Sequence, residues 1–168
     1  MPTHNKSHES EIVVWRLDAT KHADNWMSGI GAELGGGRWN IKGMRAVYTS
    51  LDSSTAILEV AVHKGFRALD CEPHTLTAAR LRLDIAPIYR VVPSDIPNPN
   101  WLIPGHVSWG QQQYGTSLLE QHPFVILPST VSRHSMNLII NPELAKGMIE
   151  VVLQEPFALD GRLNLPNS

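Results

Sequence analysis

One helix constrains this chain more than any other feature. The stretch "STAILEVAVHKGF", residues 54–66, carries Ala56, Ile57, Leu58, Val60, Ala61 and Val62 within two turns, so it is apolar nearly all round and is expected to be buried. Asp52 or Ser53 can cap its start, because either side chain can accept from the unpaired first-turn amides. A buried helix needs a sheet or other helices to cover it, and the rest of the chain supplies mainly short strands. Residues 12–17, 45–50, 76–85, 88–92, 124–129, 136–142 and 148–157 read as strands from their β-branched or alternating apolar content. Residues 18–34 read as irregular or briefly helical, 115–122 as a short helix, and 93–107, with four prolines, as an extended loop. Few βαβ alternations occur. The expected fold class is therefore α+β, a mixed and largely antiparallel β-sheet core with packed helices.

No repeat, low-complexity tract or linker divides the chain. The expectation is a polar, disordered tail over residues 1–10 and a single domain over 11–168. Fourteen Lys and Arg stand against sixteen Asp and Glu, and no basic run occurs, so direct binding of nucleic acid is not expected. The single cysteine, Cys71, excludes an internal disulfide and fits a reducing compartment. No apolar run reaches the length of a membrane span, and the first ten residues lack the apolar core of a signal peptide. A cytoplasmic protein is the economical expectation.

Chemistry concentrates in two places. Glu59 lies in the middle of the apolar helix, on a stripe with Thr55 and His63 at four-residue spacing. A carboxylate embedded there is costly unless it is paired or faces a wet cleft. It therefore serves as a structural partner of an arginine such as Arg16 or Arg38, as a catalytic or ribose-binding group on a pocket floor, or as both. The second place is "LGGGRWN", residues 34–40. Successive glycines allow consecutive backbone N–H groups to turn toward one anion, and Arg38 adds a planar five-donor fork; the plainer alternative is a turn with a solvated arginine. Known phosphate signatures fail here. No Gly-Lys-Ser/Thr completes a P-loop, and Gly29, Gly31 and Gly35 are spaced one residue too long for a dinucleotide fingerprint. Ser129 lacks a G-x-S-x-G elbow, and Cys71 with His74 lacks the second pair of a zinc site, so no metal is expected.

Taken in order, "WRL" at 15–17, "GGRWN" at 36–40, "VYTS" at 47–50, "AILEV" at 56–60, "LPS" at 127–129, "NLIINP" at 137–142 and "DGRL" at 160–163 resemble the RES domain family. That family is named for an arginine, a glutamate and a serine. The resemblance implies a fold similar to that of ADP-ribosyltransferases. It also implies the toxin of a bacterial toxin–antitoxin pair that consumes NAD⁺ by hydrolysis or phosphorolysis of the nicotinamide bond, or by transfer of ADP-ribose to a protein. The implied partner is an Xre-like helix-turn-helix antitoxin that blocks the active site and makes the DNA contacts; a homodimer within that complex is left open. NAD⁺ is then the substrate, and no separate cofactor is implied.

By the family pattern, Arg38, Tyr48 and Glu59 form the catalytic trio, with Arg16, Gly36, Gly37, Trp39 and Ser129 binding substrate. The expected roles are Glu59 at the ribose and its developing cation, Arg38 with the glycines at the pyrophosphate, and Tyr48 against the nicotinamide ring. Arg16 is expected to make a second polar clamp, and Ser129 a hydrogen bond to phosphate or ribose. The competing class is a non-enzymatic binding module in which Glu59 and Arg38 are a buried structural pair. An RNA-cleaving toxin is disfavoured by the charge and by the lack of a basic, aromatic-studded face.

Overall fold

The computed structural model describes residues 11–163 other than Pro104 and His106; the expected tail over 1–10 lies outside the described residues. Among the described residues seven strands form one sheet: β1 (Val13–Ala19), β2 (Val47–Ser50), β3 (His74–Leu81), β4 (Ile88–Arg90), β5 (Phe124–Pro128), β6 (Met136–Ile140) and β7 (Ile149–Phe157). Their spatial order is β4-β5-β6-β2-β1-β3-β7. Only β4 and β5 run parallel; the other neighbours are antiparallel, which is the α+β architecture expected. Four α-helices pack on it: α1 (Ile30–Gly35), α2 (Ser53–Lys64), α3 (Phe66–Cys71) and α4 (Trp109–Gln121).

Strand alternation divides the core into faces. Val14, Val47, Ala79, Phe124, Ile126, Leu138 and Ile140 point to one side and pack with Trp26, Ala86 and Ala145 from connecting segments. On the other side, Val125, Leu127 and Ile139 pack under Leu119 of α4 and beside Trp39. β5 and β6 are thus covered on both faces, which is why "FVIL" and "LII" read as unbroken apolar runs. On that second side, Leu17 and Leu76 pack under Ala61 of α2 and Leu69 of α3. α4 and the α2–α3 pair therefore cover opposite halves of one face, and the sheet between them lies open.

The sheet itself is weakest at that point. β1 pairs with β3 along seven consecutive positions, yet β1 and β2 meet only at Trp15 and Ser50. Beyond that joint a side chain takes over the ladder's role: Arg16 Nη1 donates to the Tyr48 carbonyl at 2.9 Å.

Two expectations need correction. α2 is not buried all round, because Leu58 and Val62 are 37% and 57% exposed. Its inner face covers β1 and β2, and nothing among the described residues covers the outer one. α4 begins at Trp109 rather than 115. Its first half is glutamine-rich with no apolar period, and its start is set by Ser108, whose hydroxyl accepts from the Gln111 amide at 3.1 Å.

Candidate functional site

A cavity of about 410 Å³ occupies the opening between the helical blocks, within the usual range of roughly 300–1,000 Å³ for ligand pockets. Its wall includes Trp15, Arg16 and Asp18 of β1, Tyr48 and Ser50 of β2, and Gly36, Gly37, Arg38 and Trp39 of the glycine loop. Glu59, His63 and Lys64 of α2 close the far side with Thr130 and Asn137. Of the eight residues expected from sequence, seven line this one cavity, and Ser129 stands directly behind it.

Glu59 is positioned by its helix and then held from the sheet. Asp52 caps α2, accepting from the Thr55 amide at 2.8 Å and the Thr55 hydroxyl at 2.7 Å. Thr55 thus serves the cap, while Glu59 and His63 of the same stripe turn to the cavity. One Glu59 oxygen, Oε1, accepts from Ser129 Oγ at 2.9 Å and from Asn137 Nδ2 at 2.6 Å. Among the described residues the other oxygen, Oε2, has no hydrogen-bond partner. The carboxylate is therefore fixed at one atom and open at the other.

Ser129 takes a different place from the one expected. It is fully buried, and its hydroxyl accepts from the amides of Val131 and Ser132 at 3.2 and 3.1 Å while donating to Glu59. One donor and two acceptor sites exhaust a hydroxyl. The hydrogen bond foreseen from Ser129 to phosphate or ribose is thus replaced by one to Glu59, and the serine acts on the site through that carboxylate.

The glycine loop also works differently from the reading of its sequence. The Gly36 amide closes α1 on the Ala32 carbonyl at 2.8 Å, and the Gly37 amide donates to the Asn40 carbonyl at 3.0 Å. Neither N–H is available to cradle an anion. Gly36 is required because its φ is +70°, a conformation that side chains disfavour. Gly37 is required by space: a Cβ there would lie 2.5 Å from the Tyr48 hydroxyl and 2.7 Å from Asn40 Oδ1. The glycines let Tyr48 approach the loop, and Tyr48 fastens it, accepting from the Trp39 amide at 3.0 Å and donating to Asn40 Oδ1 at 2.7 Å.

Asn40, whose role sequence reasoning missed, is the hub. It is fully buried, and its amide nitrogen donates to the carbonyls of Ala32, Ile41 and Met44. Trp39 borders the cavity, but its side chain belongs to the core beside Leu119 and Ile139. This enclosure pushes the Tyr48 phenol well above its ordinary range; hydrogen bonds from the loop and the nearby Arg38 charge only partly oppose it.

Arg38 projects from this loop, and Nη1 donates to the Trp101 carbonyl at 3.2 Å, so the proline-rich segment helps aim it. Burial lowers its pKa, while the charges of Glu59 and then Tyr48 pull it back up; an arginine stays protonated throughout the usable pH range. Arg38 and Glu59 thus bring opposite charges to one pocket. Arg16 is more heavily engaged than a free clamp. Its Nε and Nη2 hold both oxygens of Asp18 at 2.8 Å, while Nη1 bridges to β2. Asp18 and Asn137 are cavity residues that the sequence reading passed over. For Asn137 a signal existed, since asparagine is depleted in strands and this one precedes "LII". Among the described residues no group of three or more His, Cys, Asp or Glu could hold a metal ion.

Known proteins resemble this chain in sequence and in fold. The family model described as RES domain matches residues 13–160. A protein named Toxin Res from Photorhabdus laumondii is 32% identical over 159 residues, covering 90% of this chain and 97% of the relative. Toxin Res of Yersinia enterocolitica is 29% identical, over 90% and 99% of the two chains. A Prs ADP-ribosylating toxin from Sphingobium is 31% identical over 76% of this chain and 81% of its own length. Among solved structures, a chain of the M. tuberculosis MbcT-MbcA toxin-antitoxin complex superposes with a TM-score of 0.72 over 88% of this chain and 85% of that one; at 16% identity the likeness is one of fold.

Proposed function

The chain belongs to the RES domain family, and from that premise we propose that it is the toxin of a toxin–antitoxin pair that cleaves the nicotinamide–ribose bond of NAD⁺. The observation carrying this reading is Glu59, pinned through Oε1, open at Oε2, and facing the same cavity as the Arg38 guanidinium. Nicotinamide leaves as a neutral molecule from a cationic ring, so positive charge develops on the ribose and little acid is needed at the leaving group. A fixed carboxylate suits that demand, because charge placed in advance stabilises the transition state without reorganising. Its free oxygen can accept from a ribose hydroxyl or orient the attacking nucleophile. Arg38 supplies donors for the pyrophosphate on the opposite wall, and the Tyr48 ring offers an aromatic wall to nicotinamide. In keeping with the engagement of Arg16, that residue is assigned to holding the opening between β1 and β2 in shape, with its remaining N–H groups available to substrate.

A cognate antitoxin of Xre-like type would restrain this activity by covering the cavity and would bring the DNA contacts. A second reading, transfer of ADP-ribose to a protein side chain, is favoured by the relative named as an ADP-ribosylating toxin. Both readings share the cleaved bond and differ in the acceptor. Incubating purified protein with NAD⁺, with and without phosphate, and resolving products by mass spectrometry separates them. Nicotinamide with ADP-ribose reports hydrolysis, and nicotinamide with a phosphorylated ADP-ribose reports phosphorolysis. NAD⁺ consumed only when cell protein is added reports transfer. NAD⁺ that survives all three conditions overturns the proposal.

A further inference from the structure

We infer that Asn137 is a positioning residue for Glu59, and that Ser50 in turn fixes Asn137. The inference rests on the assignment of Glu59 to the reaction centre. Ser50 Oγ donates to Asn137 Oδ1 at 2.8 Å, and Asn137 Nδ2 donates to Glu59 Oε1 at 2.6 Å. The chemistry sets the amide's orientation. An ionised carboxylate only accepts, so the nitrogen must face Glu59, and the oxygen then receives the serine hydroxyl. Ser50 and Asn137 are direct cross-strand partners on β2 and β6, and Ser50 is also the point where β1 joins β2. The relay is therefore anchored at the joint from which the cavity opens.

Two donors from different places triangulate Oε1. Ser129 approaches from the end of β5 and Asn137 from β6. With either donor alone, the carboxylate could turn about the remaining bond; with both, its plane is set and Oε2 is aimed. A reacting group held loosely by 1 Å can lose about 100-fold in rate without losing substrate affinity. The clamp thus serves turnover more than binding.

The test compares the full-length parent with Asn137→Ala, Asn137→Asp and Ser50→Ala. Asn137→Ala is expected to lower kcat for NAD⁺ consumption about 10–100-fold with KM changed less than about 3-fold, and Ser50→Ala to lower it less. Asn137→Asp keeps the shape but sets acceptor against acceptor. Its deficit relative to the parent should shrink as the pH falls, because a proton taken up by the new carboxyl restores a donor toward Glu59. A merely structural residue would not produce that pH dependence.

An activity-free measurement covers the case in which NAD⁺ is not the substrate. The carboxyl-carbon NMR resonance of Glu59 should move in Asn137→Ala and stay in place in Lys146→Ala, an exposed change remote from the cavity. Folded Asn137→Ala protein with parental kcat, or an unmoved Glu59 resonance, overturns the inference. Loss of the parent's own NAD⁺ activity would overturn the functional proposal while leaving the resonance to decide on Asn137.

Discussion

Replacing Gly37 by alanine tests the reason for the glycine run. Its Cβ would sit 2.5 Å from the Tyr48 hydroxyl, 2.7 Å from Asn40 Oδ1 and 2.9 Å from Tyr48 Cζ, all closer than packing allows. The loop cannot easily retreat, because the Gly37 amide donates to Asn40 and its carbonyl accepts from Gln112 at 2.8 Å. Tyr48 must yield instead, breaking its bonds to the Trp39 amide and to Asn40. Overpacking typically costs about 1–3 kcal/mol, and each lost hydrogen bond about 0.5–1.5 kcal/mol. Gly37→Ala is therefore expected to destabilise by about 2–6 kcal/mol. Tyr48→Phe alone loses the same two bonds and should cost about 1–3 kcal/mol. Once that hydroxyl is gone, the alanine meets less and breaks nothing further, so its cost should fall by at least about 1 kcal/mol in the double variant. Urea unfolding of the four proteins, followed by tryptophan fluorescence, measures this cycle. Additivity within about 0.5 kcal/mol would refute the claim that Gly37 exists to admit the Tyr48 hydroxyl.

Three further outcomes follow from the site. Tyr48 stays protonated in the folded chain to higher pH than when unfolded, so between the two pKa values the unfolded state binds fewer protons and stability falls as pH rises. That loss should begin above about pH 10, where a free tyrosine ionises, and Tyr48→Phe should flatten it in urea midpoints taken from pH 9 upward. Asp52→Ala removes the cap of α2 and should cost about 1 kcal/mol in the same unfolding assay. An unchanged midpoint would mean that the helix carrying Glu59 is fixed by packing alone. Arg38→Lys keeps charge and loses the planar fork; with about 1.5–3 kcal/mol at stake in hydrogen bonds to a charged group, NAD⁺ turnover should fall about 10–100-fold in protein that remains folded. Parental turnover would exclude bidentate binding of the pyrophosphate.

Much of the fold was legible because each strand is a short apolar or alternating run bounded by prolines or polar turns. The seven expected strands all appear, with no end moved by more than four residues. What escaped lacked a local signal. α3 is six residues long and follows α2 across Gly65, whose φ is +79°, so its apolar positions blend with the preceding helix. The first half of α4 is "WGQQQY", marked only by its serine cap. At the site, a carboxylate inside an apolar helix singled out Glu59 without any structure. The functions of Gly37 and Ser129 were not legible in the same way. One depends on the Tyr48 hydroxyl and the other on Glu59, neighbours that only the folded sheet supplies. Local sequence suggested an anion cradle, whereas the end of α1 and the turn to Asn40 take up the amides of Gly36 and Gly37.

The central claim is that the Glu59 carboxylate stabilises charge developing on a ribose. Its most direct test is nicotinamide release from NAD⁺ by the parent and by Glu59→Gln, each first shown to be folded by its unfolding midpoint. The glutamine preserves shape and one acceptor oxygen while removing the charge. Losing one preorganised electrostatic stabiliser typically costs about 10²–10³ in rate, so Glu59→Gln should fall by that factor or more with its fold intact. If folded Glu59→Gln releases nicotinamide at the parent's rate, the carboxylate is a structural group and the account of this cavity is wrong.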